Sequence, residues 1–152
     1  MFDLAAVLPA LLPKAIAWAE AVASAASARG ALLNPDELKL AQAVGVRRAE
    51  IIRVVEAPEL PFPADPALGF AATQTGLLGP HMIGLTLGHA IFVRTGHRTS
   101  RLISHECRHV YQYESAGSIA AFLPIYLTQI ASVGYEAASY EIDARLHERD
   151  VA

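Results

Sequence analysis

The stretch Ser104–Gln112, SHECRHVYQ, places His105 and His109 four residues apart, with Glu106 directly after the first histidine. In an α-helix such a spacing puts both imidazoles on one face, about one turn apart, so that both can bind one metal ion. Glu106 would project beside them, where a carboxylate can accept a proton from a water that the metal activates. Cys107 would point to the opposite side of the helix. The pattern predicts a catalytic zinc (Zn²⁺) site, because zinc suits two imidazoles and one carboxylate oxygen, with a fourth position open to water.

A third ligand must come from another part of the chain. Glu114 lies on the same helix and would face away from the two rings. Glu136 and Glu141 both belong to a later segment that can return beside the first helix, and helical geometry alone does not choose between them. Histidines inside proteins are more often satisfied by a carbonyl group than by a metal. Two histidines and a glutamate in one otherwise apolar helix would, however, carry a large desolvation cost, which a metal offsets for all three.

The elements that must position these residues predict an α+β fold that is mostly helical, with a small β-sheet before the histidine-bearing helix. Asn34 and Glu37 form a typical helix-start signal around Pro35. The β-branched stretches predict strands, and four prolines between positions 58 and 66 exclude regular structure there. We expect strands at Glu50–Ala57 and His89–Arg94, the second within a hairpin or bent strand pair over Gly84–Gly96, and helices at Leu11–Gly30, Asn34–Gly45, Ala67–Gln74, Thr99–Glu114, Ser118–Val133 and Tyr135–Asp150.

Length and composition favour one domain of 152 residues with a real core, because 53% of the residues are hydrophobic and 18% are charged. Its parts are an N-terminal helical part (1–48), a small sheet with loops (50–94) and a metal-binding helical part (99–150). The net charge of −3 and the scattered arginines argue against nucleic acid as a partner. The single cysteine, Cys107, excludes an internal disulfide, and the early Asp3 does not fit a secretory signal. We therefore expect a cytoplasmic protein.

Uncharged segments raise the alternative of a membrane-associated helical protein without enzymatic activity. The segment from Ser115 to Tyr135 carries no charge and is long enough to span a bilayer, but Pro124 and Gln129 make it a poor span. Such a span would also place His109 and Glu141 on opposite sides of the membrane. A buried helix, or one that forms a homo-oligomer, explains the apolar run equally well. The predicted helix at Leu11–Gly30 could also be a membrane span, but Lys14, Glu20 and its serines argue against it.

The segments GLTLGHAIFVR, LISHECRHVYQYE, FLPIYL and GYEAASYEIDA resemble the small bacterial zincin-like domains of the gluzincin group, which are candidate zinc metallopeptidases, some of them tied to contractile-particle toxin systems. The resemblance covers about the last 70 residues. It implies a minimal zincin-like fold in which Glu141 is the third metal ligand, and Gln112 and Asp143 support the ligands. Ser139 stands where the family has proline, and Asp143 stands where it has glutamate.

By this resemblance the activity is hydrolysis of a peptide or protein substrate, with Glu106 as the general base and the strand His89–Arg94 pairing with extended substrate. An oxyanion-stabilising group is also expected, and no single residue among Arg108, Tyr111, Tyr113, Tyr135 and Tyr140 is favoured. A domain that keeps zinc but lacks catalysis remains the alternative. The presence of all three ligands together with Glu106 favours an active site.

Overall fold

The structure, a computed structural model, describes residues 1–151 and has the expected α+β architecture, mostly helical with one small sheet. Six α-helices and three strands follow one another along these residues. The helices are α1 (Leu4–Arg29), α2 (Pro35–Ala43), α3 (Pro66–Gln74), α4 (Ser100–Ala116), α5 (Ile119–Val133) and α6 (Ser139–Leu146), and the strands are β1 (Arg53–Ala57), β2 (Gly84–Leu87) and β3 (Ala90–Arg94).

The sheet has the order β1-β3-β2, with β3 parallel to β1 and antiparallel to β2. The expected hairpin is confirmed: β2 and β3 are joined at Gly88, whose φ of +64° suits a tight turn. Because β3 is paired along both edges, the expectation that His89–Arg94 pairs with substrate is wrong. In the hairpin it is β2 that has one edge not paired to another strand within residues 1–151.

The sheet lies between two apolar clusters. Alternation along β3 sends Ala90 and Phe92 into the first cluster, with α1 and α5, and Ile91 and Val93 into the second, with α2 and α4. Gly84 lies directly opposite Val93 in the hairpin, and residues that lie opposite each other share one face of a sheet. Gly84 is therefore on the same face as Val93, which is the face that packs on α4. The polar helix α4 is thereby packed directly against β2.

Several boundaries differ from those expected. Helix α1 begins at Leu4 instead of Leu11 and continues through Pro9, because Leu4 and Leu11 are both buried in the first cluster. Strand β1 begins at Arg53, after a 3₁₀ turn over Ala49–Ile51.

The last helix is shorter than expected and runs only over Ser139–Leu146. The expected signal at the start of α2 is confirmed, since the side chain of Asn34 accepts a hydrogen bond from the N–H of Glu37 and the Glu37 carboxylate accepts one from the N–H of Asn34.

Helix α1 is long and apolar enough, by length and composition, to cross a membrane, and 17% of its most apolar window is buried. Helices α4 and α5 pass the same test only if joined, but they meet at an angle of 115°. A core helix of a soluble protein can have the same length and composition. In this fold α5 buries Phe122, Leu123, Leu127 and Ile130 in the first cluster.

An ion pair fixes α2 to the segment that leads into α4. Arg98 donates two hydrogen bonds to the buried carboxylate of Glu37, at 2.7 and 2.8 Å. Burial raises the pKa of Glu37, but the hydrogen bonds from Arg98 and from the N–H of Asn34 outweigh it and lower the pKa overall. We expect Glu37→Gln to lower the free energy of unfolding by roughly 1–3 kcal/mol in urea titrations at neutral pH.

The matched control is Glu20→Gln, an exposed glutamate on α1, which should change the free energy of unfolding by less than about 0.5 kcal/mol. Because the folded-state pKa of Glu37 is lowered, its contribution is complete above the unfolded-state pKa and is lost as the pH falls through the folded-state value. The difference between wild type and Glu37→Gln should therefore shrink in acid. Equal losses in both variants would contradict this account.

Candidate metal centre

Helix α4 forms as expected and presents one face to the core and one to the site. The side chain of Thr99 accepts a hydrogen bond from the N–H of Leu102 at the start, and Gly117, with a φ of +107°, ends the helix. Cys107, together with Ile103 and Val110, is fully buried in the second cluster. The residues on the other side of the helix, His105 and His109 among them, are therefore turned away from that cluster and towards α6.

Glu141 reaches the two histidines from the first turn of α6. The chain returns there because α5 forms an excursion after α4, and Gln129 of α5 accepts a hydrogen bond from the N–H of Tyr140 at the start of α6. This contact replaces a cap, since Ala138 at the helix start has no capping side chain. The Glu141 carboxylate then lies 3.3 Å from Nε2 of His105 and 3.1 Å from Nε2 of His109.

These three side chains fit a tetrahedral metal site. Two ligand atoms bound to zinc at about 2.0–2.1 Å with a tetrahedral angle lie about 3.3 Å apart. The distances from Oε1 of Glu141 to His105 (3.3 Å) and from Oε2 to His109 (3.1 Å) are close to this value. The ligand atoms of His105, His109 and Glu141 all lie within 4.8 Å of one another. Oε1 of Glu141 is buried and has no hydrogen-bond partner within residues 1–151. A buried carboxylate oxygen without a partner is costly, and a cation bound there would remove that cost.

The far nitrogen of each ring is held by an acceptor. Nδ1 of His105 lies 2.8 Å from the carboxylate of Glu148, and Nδ1 of His109 lies 2.7 Å from Oε1 of Gln112. The side-chain NH₂ of Gln112 donates hydrogen bonds to Asp143 and to the carbonyl of Tyr140, and these two bonds fix the orientation of the amide. Nδ1 of His109 must then carry a hydrogen, so in the neutral ring the lone pair lies on Nε2, towards Glu141.

Asp143 belongs to an ion pair that supports this arrangement. Arg108 donates to both oxygens of Asp143, at 2.7 and 3.3 Å, and also to the carbonyl of Val44 at the end of α2. Burial raises the pKa of Asp143, but the hydrogen bonds from Arg108 and Gln112 outweigh burial and lower the pKa overall. The carboxylate is thereby kept charged as an acceptor for Gln112.

The site attracts positive charge. Burial lowers the pKa of His105, but its contact with Glu141 and the charge of Glu106 raise the pKa to about 9. Burial also lowers the pKa of His109, but its contact with Glu141 and the charge of Glu106 outweigh burial and raise that pKa overall. Burial raises the pKa of Glu141, yet its contacts with the two rings hold that pKa far below its usual range. The field that holds protons on the rings also favours a divalent cation, whose binding would release those protons.

Glu106 lies beside the candidate ligands and is oriented by β2. Its Oε1 accepts a hydrogen bond from the hydroxyl of Thr86 at 2.8 Å. Its Oε2 faces Gly84, where a Cβ would lie only 2.9 Å from that oxygen. A side chain at position 84 would therefore collide with the carboxylate, which makes glycine necessary for this placement. Glu106 keeps one oxygen held by Thr86 and one directed along the edge of the sheet.

Sequence reasoning missed several residues that the fold brings to the site. Tyr126 of α5 donates a 2.6 Å hydrogen bond to Oε2 of Glu141, and Glu148, Thr86 and Gly84 contact the site as described. Each lies at least 20 residues from its partner in sequence, except Tyr126, which lies 15 residues from Glu141. The uncapped start of α6 and the tyrosine in the apolar helix offered no local signal.

Two acidic alternatives are excluded by position. Glu136 is exposed and does not belong to the cluster of His105, His109 and Glu141, and its carbonyl accepts a hydrogen bond from Arg145. The geometry therefore favours Glu141 over Glu136 as the third ligand. Glu114 accepts hydrogen bonds from the N–H groups of Arg47 and Arg48 and faces away from the rings, as expected.

No protein-family model, curated protein or solved structure matches the chain. The resemblance to zincin-like domains therefore stays a prediction.

The first test of the site is its metal content. Purified protein reconstituted with zinc and dialysed should hold about one zinc per chain, because three ligands suffice for a site with an open position. Glu141→Ala and Glu141→Gln should weaken zinc binding at least about 100-fold, measured by competition with a chromogenic chelator, because each removes the ligating carboxylate. Glu136→Ala is the matched control and should bind zinc as wild type does. Equal zinc affinity in all four proteins would contradict the assignment of Glu141.

Proposed function

We propose that the chain is a zinc-dependent metallopeptidase, acting in the cytoplasm on a peptide or protein substrate. The observation that carries the proposal is the convergence of His105, His109 and Glu141 on one point, with the carboxylate of Glu106 beside them and not among them. Three ligands with an adjacent unligated carboxylate are typical of a catalytic zinc site, whereas structural zinc sites usually have four protein ligands.

Zinc, when bound, would supply a Lewis acid that polarises a substrate carbonyl and lowers the pKa of water. The chain's own residues would do the rest. Glu106 accepts a proton from the attacking water at Oε2, while Thr86 holds Oε1 in place. The same carboxyl group then donates that proton to the leaving nitrogen. Tyr126 acts through Glu141, whose carboxylate it orients with its hydroxyl.

Substrate would bind along β2, because this edge strand lies next to Glu106. The N–H of Arg94 donates to the carbonyl of Ile83, and antiparallel pairs alternate between bonded and non-bonded. The main chain of Leu85 is therefore hydrogen-bonded to β3, whereas the N–H and C=O groups of Gly84 and Thr86 point away from β3. The carbonyl of Thr86 accepts a hydrogen bond from Tyr113, so Gly84 supplies the main-chain groups nearest the site for an extended peptide.

The general-base role of Glu106 is tested by Glu106→Gln, which keeps the shape and hydrogen bond of the side chain but cannot accept the proton. We expect zinc content equal to wild type and a rate of hydrolysis lower by roughly 100- to 10,000-fold, measured by mass spectrometry on a library of unstructured decapeptides. If both proteins bind zinc and neither cleaves any peptide, the chain is a zinc-binding module without catalysis, and the proposal fails.

Gly84→Ala tests the positioning of Glu106 without changing its chemistry. The added Cβ would lie 2.9 Å from Oε2 of Glu106, and the flexible carboxylate can move to avoid it. We expect unchanged zinc content, a melting temperature within a few degrees of wild type, and kcat/KM lower by at least about ten-fold because the base is displaced.

The control is Gly79→Ala, where the added Cβ meets only the exposed ring of His81, at 3.3 Å, and should leave kcat/KM unchanged. Full activity in Gly84→Ala would show that the contact between β2 and Glu106 is not needed.

A further inference from the structure

An apolar cleft opens from the candidate metal centre into the body of the protein. Its free volume is about 120 Å³, and Glu106, His109 and Glu141 form part of its wall. The remaining wall consists almost entirely of aliphatic and aromatic side chains from α1, α3, α5 and β2 and from the loop between α3 and β2. A dry cavity of this size lined by such side chains accommodates an apolar group about as large as benzene.

The cleft is elongated along α1. Residues between Leu4 and Ala19 contribute to its wall, and these sixteen residues of α-helix extend over about 24 Å. The side chains recur at helical spacing, with Leu4, Leu8, Leu11 and Ala15 on one face. The free volume of about 120 Å³ accommodates one large apolar side chain of a substrate at a time.

The uncharged stretch from Pro66 to Val93 explains the chemistry of the opposite wall. It comprises α3, the following loop, β2 and most of β3, and it contributes Leu68, Ala71, Leu77 and Met82 to the cleft. A charged substrate side chain placed here would lose its hydration and find no partner. The stretch serves no other part of the proposed catalytic machinery, apart from the placement of Glu106 by β2.

We propose that the substrate is a peptide segment rich in large apolar side chains, which lies along β2 and places one of them in the cleft beside α1. This inference rests on the proposed peptidase function and adds the substrate class. The N–H and C=O of Gly84 point away from β3 and favour a peptide over an acyl chain, because an acyl chain has no hydrogen-bonding groups to pair with them.

Binding is tested with the zinc-loaded Glu106→Gln protein, which cannot consume its ligand. The probes are two blocked octapeptides with two lysines at each end and either four leucines or four serines in the middle. We expect a Kd at least about ten-fold lower for the leucine peptide by isothermal titration calorimetry, because apolar side chains gain by leaving water. Equal affinities would overturn the inference.

Two variants of neighbouring residues in α1 locate the bound segment. Leu8 lines the cleft and is half-buried, whereas Val7 is 37% exposed and lies outside the cleft. Made in the Glu106→Gln background, Leu8→Trp should fill the cleft and raise the Kd of the leucine peptide by at least about ten-fold, while Val7→Trp should leave it unchanged. Circular dichroism melting curves of both variants establish that they are folded. Equal Kd values in two folded variants would overturn the inference.

Further measurements separate the possible failures. If decanoate displaces a fluorescent apolar dye from the cleft but the leucine peptide does not, the cleft binds acyl chains and the inference is overturned. If the wild type cleaves both peptides with equal kcat/KM, the peptidase proposal stands and the apolar preference is refuted. If the leucine peptide binds selectively but wild type cleaves neither peptide, the preference stands as a binding property and the peptidase proposal fails.

Discussion

The burial of one carboxylate between two imidazoles is the constraint on which the rest of the site depends. Glu141 is 2% exposed, and a buried carboxylate is stable only if positive charge and hydrogen bonds surround it. The rings of His105 and His109 lie 3.3 and 3.1 Å from the carboxylate, and the hydroxyl of Tyr126 donates a hydrogen bond to its Oε2, so the contacts come from two other helices. The placement of α4, α5 and α6 is therefore coupled: a shift of any one of them would leave a charged group in the core without its partners. A divalent cation at this point would satisfy the carboxylate and both rings together.

The two sides of α4 have different roles: one packs in the core, and the other carries the residues of the candidate site. One side of the helix is anchored by fully buried apolar residues that include Ile103, Cys107 and Val110, which fixes the rotation of the helix and hence the direction of the imidazoles. The other side carries groups that need orientation more than burial. Their orientation comes from residues outside the helix, Glu148 for one ring and the chain from Gln112 to Asp143 and Arg108 for the other. The core sets where the site lies, and hydrogen bonds set how each ring is turned.

The sheet is small, yet it determines the surroundings of the candidate base. The alternation of side chains in β2 turns Gly84 and Thr86 towards α4 and Leu85 towards α1. One face of the strand thus orients Glu106, and the other lines the apolar cleft. The low polarity of that cleft strengthens the electrostatic interactions at its end, because fewer water molecules screen them. The catalytic proposal and the apolar substrate proposal therefore depend on the same strand.

The sequence by itself determined the features that local spacing controls. The helix carrying His105 and His109, the capping box at Asn34 and the hairpin around Gly88 each follow from residues within a few positions of one another. Only the tertiary structure chose Glu141 over Glu136, made His89–Arg94 the central strand, and brought Glu148, Tyr126 and Thr86 to the site. These contacts join segments 15 to 43 residues apart, and they form only when the apolar faces of α4, α5 and the sheet pack together. Periodicity identifies each apolar face, but the partner of that face is decided by packing, which no local pattern encodes.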